Sequence, residues 1–176
     1  EVSQIMDLFI YFFNKYKEEM TRITNKDNIE GSLMDALIGA DVFIGVSVAN
    51  CLTSDMIKSM NKDPVIMALA NPVPEVSPDV AKKAGARVVC TGRSDYPNQV
   101  NNVLAFPGVF KGAFDVRASE INEEMKIAAA YAIAELIGEE ELNEEYVIPD
   151  VFDSRVAERV ASAVSQAAIK TGVAKK

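Results

Sequence analysis

Four side-chain amides fall within five residues, Asn98, Gln99, Asn101 and Asn102, shortly after an arginine and an acid, Arg93 and Asp95. An amide donates through its NH2 group to a carboxylate or carbonyl and accepts through its oxygen from a hydroxyl or a second amide, and it does not titrate near neutral pH. The amides run directly into the apolar stretch Val103–Phe106 and Pro107-Gly108. Amides delivered beside buried residues require partners, and a carboxylate ligand would supply them. Arg93 and Asp95 suit a local ion pair that braces the loop better than they suit catalysis. Two further polar segments share this small, turn-prone character: Gly45-Val46-Ser47, and Asn71-Pro72-Val73-Pro74-Glu75. Each also has a plain structural use. Gly45 and Ser47 serve to turn the chain, and Asn71-Pro72 is a common turn initiator in which the residue before proline is held extended.

Other chemistries are excluded or unsupported. The chain has no histidine, so it holds neither a Ser-His-Asp triad, nor a Cys-His pair, nor a His-ligated metal. Its two cysteines, Cys51 and Cys90, have no CxxC spacing, and reduced thiols are expected rather than a disulfide scaffold. Glu139–Glu141 and Glu144–Glu145 read as solvated charge, and neither GxGxxG nor GxxxxGK[ST] occurs. The net charge of -8 and pI of about 4.7 repel phosphate backbones, so no nucleic-acid partner is expected. The longest apolar run, IMDLFIYFF, is interrupted by Asp7 and is too short to cross a bilayer. It lacks the basic leader and small-residue cleavage site of a signal peptide, so no membrane partner is expected. The first residue is not Met, from which a processed chain or a piece of a longer one is expected.

The elements that would position the polar segments are legible. DVFIGV (Asp41–Val46), PVIMALA (Pro64–Ala70) and ARVVC (Ala86–Cys90) recur at starts roughly 22 residues apart and are continuously apolar, as in strands buried on both faces of a parallel sheet. Helical signals lie between them. Thr53 is a plausible N-cap for Ser54–Met60, with Leu52 placed to staple onto Ile57. Ser77-Pro78-Asp79 starts a helix that ends at Gly85. Ser32–Ile38 ends at Gly39. The centre therefore reads as βαβαβ, half of a doubly wound dinucleotide-binding fold. In such sheets ligands bind at the carboxyl ends of strands, where all three polar segments fall. After Cys90, an Ala-rich helix is expected over Ile121–Leu136, with Ile121, Met125, Ala128, Ala132, Ile133 and Leu136 on one stripe. A solvated acidic loop, Gly138–Glu145, follows, then Pro149. A last helix covers about Asp153–Thr171, with Val156, Val160, Ala163, Val164 and Ala167 on one face. With 176 residues, 49% of them hydrophobic, one domain is expected.

The strings GADVFIGVS, ALANPVPE and TGRSDYPNQVNNVLAFPGVFKGA together resemble the malic enzymes in their shorter prokaryotic-type form. The likeness continues through EMKIAAAYAIAEL and VIPDVFDSRV and covers roughly Asn25–Val173. It implies a Rossmann-like doubly wound parallel sheet, incomplete at its N-terminal side, with C-terminal helices. It implies a metal-dependent oxidative decarboxylase that converts L-malate to pyruvate and CO2 with NAD or NADP, assisted by Mg²⁺ or Mn²⁺. Carried over by position, Gly45, Val46, Ser47 and Asn71 lie along the cofactor. Asn101 and Asn102 hold the substrate, Asn102 the more direct contact. The family's lysine base, tyrosine acid, metal-binding acids and phosphate loop all precede the matched region. Catalytic and metal-ligating residues are therefore expected outside this chain, residues 1–176 being one partial dinucleotide-binding domain, inactive alone, within a cytoplasmic homo-oligomer. Glu1–Phe13 fits the family pattern poorly, although Asp7 is placed where an acid for the adenosine ribose would stand. The turn after GVS, where the family often has Pro or Gly, is Val48-Ala49-Asn50. The competing expectation is a truncated module that binds nucleotide weakly or oligomerises without turnover.

Overall fold

The computed structural model describes residues 15–175. Helix α1 spans Lys15–Ile23 and α2 Leu33–Leu37. The alternating unit follows as β1 Val42–Gly45, α3 Ser54–Ser59, β2 Val65–Ala68, α4 Pro78–Lys83 and β3 Val88–Thr91. The three strands lie side by side in chain order and are all parallel. Val42, Val65 and Val88 are level across the sheet, as are Gly45, Ala68 and Thr91. The carboxyl ends therefore finish on one line. Against the apolar runs, β1 ends one residue before Val46, β2 two residues before Ala70, and β3 runs one residue past Cys90.

Caps fix the connecting helices as expected. The Thr53 hydroxyl accepts from the Met56 N–H at 3.3 Å, and Ser77 accepts from Val80 at the same distance. Leu52 and Ile57 are both buried. Gly85, at φ +109°, takes the backbone conformation that side chains resist and so releases the chain from α4 into β3. Leu37, Phe43, Ile57, Ile66, Ala81 and Val89 join in one core that fills the space between α2–α4 and one face of the sheet. The first apolar run is not buried on both faces. Val42, Ile44 and Val46 are exposed, because nothing among the described residues covers that side of β1. Asp7 and the stretch Glu1–Phe13 lie outside the described residues.

The chain then makes a short 3₁₀ turn at Asn102–Leu104, α5 at Phe106–Asp115, α6 at Glu123–Ala134 and α7 at Arg155–Lys170. These helices share a second core of Leu104, Ala113, Met125, Ala129, Ala132, Val156, Val160, Val164 and Ala168. Helix α5 carries Pro107, Gly108 and Gly112, residue types that local propensity disfavours inside a helix. Pro107 instead sits in the first turn, where its missing N–H costs nothing. The glycines let α5 approach α7: a Cβ on Gly108 would meet Val160 Cβ at 2.6 Å, and one on Gly112 would meet the Ala161 carbonyl oxygen at 2.5 Å. Along α7 the buried stripe includes Ala161 and Ala168, whereas Ala163 and Ala167 are half-buried. Helix α6 starts after Asn122, whose side chain accepts from the Met125 N–H.

The contact between α5 and α7 generates a direct test. Gly112→Ala should destabilise the fold by a net of roughly 0.5–2 kcal/mol, because overpacking against backbone outweighs the helix propensity that alanine adds. Urea unfolding measures this, and a more stable variant would contradict the close approach.

Candidate functional site

The three polar segments leave the level ends of the strands together. Gly45-Val46-Ser47 leaves β1, and Asn71–Glu75 leaves β2 through a cis Asn71-Pro72 bond. The third segment closes on itself: Val100 N–H donates to the Thr91 carbonyl at 2.9 Å, and a parallel bridge joins Thr91 and Gln99. Asn101 and Asn102 are thus returned to the end of β3. Ser47, Asn71 and Asn102 are all exposed there. Their side chains make no hydrogen bond among the described residues.

A buried carboxylate ties two of these segments. Glu75 is 0% exposed. Its Oε1 accepts from the Ser47 N–H at 2.8 Å and its Oε2 from the Ala70 N–H at 2.9 Å. The backbone adds two further ties: Asn50 N–H to the Pro74 carbonyl at 3.1 Å and Leu52 N–H to the Glu75 carbonyl at 3.0 Å. Burial pushes the Glu75 carboxyl up, but the N–H donors of Ser47, Ala70 and Glu75 itself outweigh this and hold it below the ordinary carboxylate range. Gly45 makes room for this arrangement, since a Cβ there would stand 2.5 Å from the Glu75 side-chain carbon Cδ. In the sequence Glu75 is only an acid set between Pro74 and Val76, with no local pattern that marks its role.

The amides divide into braces and an open group, which corrects the inference that all of them await a ligand. Asn98, buried and at φ +56°, donates to the carbonyls of Val89 at 3.2 Å and Glu144 at 2.9 Å. Its Oδ1 accepts from the Val147 N–H at 2.9 Å. Gln99 donates to the Gly92 carbonyl at 3.4 Å. Asn101 caps the 3₁₀ turn, accepting from the Val103 N–H at 3.1 Å. Asn102 alone of the four makes no side-chain hydrogen bond among the described residues. Arg93 forms the expected fork on Asp95, at 2.8 and 2.5 Å, which holds the Asp95 carboxyl below its usual value. Arg93 also lies over the Tyr96 ring, 5.6 Å from its centroid, and the Tyr96 hydroxyl donates to Asp79 at 3.0 Å. Nor is the acidic loop merely solvated: Glu144 pairs with Arg87 at 3.0 Å and Glu145 pairs with Lys82.

A cleft of about 170 Å³ lies among these segments, lined by residues including Asn50, Pro74, Ser77, Arg93 and Tyr96. It is smaller than pockets that enclose a ligand, roughly 300–1,000 Å³, so anything held here lies along an open edge. A larger groove, about 610 Å³, runs between α6 and α7, and neither cavity is lined by Ser47, Asn71 or Asn102. Among the described residues no group of three or more His, Cys, Asp or Glu could hold a metal ion. Both thiols are free. No helix of the described residues is long and apolar enough to cross a membrane.

A parallel βαβαβ sheet with exposed donors gathered on its carboxyl edge is a Rossmann-type arrangement. The family profile described as "Malic enzyme, NAD binding domain" matches residues 3–169, and the chain belongs to that family. The bifunctional malic/malolactic enzyme of Bacillus subtilis (strain 168) is 62% identical over 162 residues, which are 92% of this chain and 40% of the relative. The NAD-dependent malic enzyme of Geobacillus stearothermophilus is 58% identical over 163 residues, 93% of this chain and 34% of the relative. Among solved structures, the malic enzyme of Pyrococcus horikoshii superposes with a TM-score of 0.82 at 51% identity, over 87% of this chain and 35% of that one. The NAD-dependent malic enzyme of Thermotoga maritima gives the same TM-score and identity, over 87% and 40%. The chain therefore spans 40% or less of the length of these relatives.

Glu75 gives the site a pH signature. Its folded-state carboxyl titrates below the ordinary range, so its stabilisation is full above the unfolded value and is lost as pH falls through the folded one. Glu75→Gln turns an NH2 group toward a backbone N–H. It should cost roughly 1.5–3 kcal/mol at neutral pH, with the gap to wild type closing in acid. Urea unfolding across pH checks this; a variant equal to wild type at pH 7 would show that the carboxylate adds nothing.

Proposed function

We propose that this chain is the dinucleotide-binding part of a longer NAD(P)-dependent malic enzyme, which oxidises L-malate at C2 and releases pyruvate and CO2. The observation that carries the proposal is the set of exposed, uncommitted polar side chains, Ser47, Asn71 and Asn102, on the carboxyl edge of a parallel sheet. The relatives' names include both NAD- and NADP-dependent malic enzymes, and either nucleotide suits the edge described.

Gly45, Val46 and Ser47 present backbone and a hydroxyl along the cofactor. Asn71 lies toward its nicotinamide ribose. Asn101 keeps its oxygen on Val103 and has its NH2 group left to offer. Asn102 has both ends of its amide free and holds an oxygen of malate, aligning C2–H with the nicotinamide. The bound nucleotide supplies the hydride acceptor. The malate hydroxyl proton passes to a base, the C3–carboxylate bond then breaks to give CO2, and the three-carbon enolate gains a proton to become pyruvate. The base, the acid and the ligands of a Mg²⁺ or Mn²⁺ ion belong to the part of the enzyme outside the described residues, which do not fit a metal. No step within this domain runs through that ion. On this proposal the enzyme works in the cytoplasm as a homo-oligomer.

Two outcomes test this. The isolated chain should produce no measurable NAD(P)H from malate with Mg²⁺ or Mn²⁺, because losing several members of a catalytic unit costs many orders of magnitude; the full-length protein should turn malate over. Turnover by the isolated chain, or none by the full-length protein, would overturn the assignment. In the full-length protein, Asn102→Ala should lose roughly 1.5–3 kcal/mol of substrate interaction and about a further 10² in rate from misalignment. Cofactor affinity and melting temperature should stay near normal. A variant with normal kcat/KM for malate would remove Asn102 from the substrate site.

A further inference from the structure

We propose that Glu75 is a positioning residue for malate oxidation, locking the Ser47 turn and the Asn71 turn into one rigid edge. The inference rests on the malic-enzyme reading above and goes beyond it, because Glu75 itself touches neither cofactor nor substrate. It is fully buried, and its two oxygens are spent on backbone donors, Ser47 N–H at 2.8 Å and Ala70 N–H at 2.9 Å. Those donors belong to residues at, and immediately before, two proposed ligand-facing positions. Ser47 is itself one of them, and Ala70 precedes Asn71.

The geometry is specific in three ways. Gly45 is the residue at which any side chain would collide with the carboxylate, a Cβ standing 2.6 Å from Oε1. The Asn50–Pro74 and Leu52–Glu75 backbone bonds close the same two loops from the other side, so three hydrogen bonds join the loop after β1 to the loop after β2, and a fourth, from Ala70, fixes the carboxylate within its own loop. Finally, the two turns diverge from strands paired only as far as Gly45 and Ala68, with one further bond from Leu69 N–H to the Gly45 carbonyl at 3.0 Å. Beyond that point nothing in the sheet ladder holds Ser47 against Asn71, and Glu75 does. The two cofactor-facing turns are thereby coupled: a shift in the Ser47 turn is transmitted to Asn71 through the Glu75 side chain, beside the two backbone bonds farther along the loops. Gains from holding reacting groups within a fraction of an ångström are lost when such a support loosens.

The test uses the full-length protein. In wild type, amide hydrogen exchange at Ser47 and Ala70 should be slowed by about 10² relative to the exposed Val48, as expected for bonded rather than solvated amides. This measurement needs no variant. Glu75→Gln keeps one acceptor and loses the other. At a temperature well below its melting point it should raise the KM for the dinucleotide about tenfold and lower kcat about tenfold, with Ser47 or Ala70 losing protection while amides in the α7 core keep theirs. A bystander that only stabilises the fold would lower the melting temperature and leave KM and kcat unchanged. Unprotected Ser47 and Ala70 amides in wild type, or normal kinetics in Glu75→Gln, overturn the proposal alone. Protected amides in a wild-type protein that turns over no malate overturn the malic-enzyme reading, and the proposal with it.

Discussion

A carboxylate withdrawn from water is costly unless charge-assisted hydrogen bonds replace its hydration. Glu75 meets that condition with two backbone N–H groups from two different strand ends, and much of the domain's shape follows. The bonds work only if β1 and β2 end level, which their parallel register provides. They require a glycine at position 45, since no side chain fits beside the acid. They also require the chain to fold back sharply after Asn71, so that an acid four residues later can reach the amide just before the turn. The sheet edge is therefore organised around an internal anion, and the polar groups that face outward from it are those the anion leaves unused.

The architecture was largely legible because periodicity and punctuation report it directly. Continuous apolar runs give buried parallel strands, and Thr53, Ser77 and Gly85 mark helix ends by local hydrogen bonding and backbone freedom. In helix α5 glycine has two meanings. Local propensity reads Gly108 and Gly112 as breaks, whereas tertiary packing uses their missing side chains to seat one helix on another. Nothing local to Phe106–Asp115 distinguishes the two. The exposed face of β1 was misjudged for a related reason, since an apolar run carries no record of whether its cover comes from nearby in the chain.

The site was legible as a place more than as a set of roles. Three polar segments after three apolar runs pointed to one edge, and the edge is real. Composition alone could not say which amides were free. Asn98 and Asn102 are the same residue type four positions apart, yet one is consumed by Val89, Glu144 and Val147, and the other has no internal bond among the described residues. That difference depends on partners up to 49 residues away, beyond any local pattern. Glu75 was hidden for the converse reason: an acid after two prolines looks like a solvated loop until the strand ends that surround it are known.

The same Asn98 bears on how the family's sequences can vary. The acidic stretch before Pro149 is exposed and rich in glutamate, the kind of segment in which insertions are ordinarily tolerated. Here its main chain is fastened to Asn98 at Glu144 and Val147, and its side chains reach Arg87 and Lys82. Because the Asn98 fastenings are both to backbone, they constrain the number of residues between Glu144 and Val147 more than their identity. An added or deleted residue would move the carbonyl and the N–H that Asn98 spans out of reach together. The loop is held to its spacing by bonds that its lettering does not make.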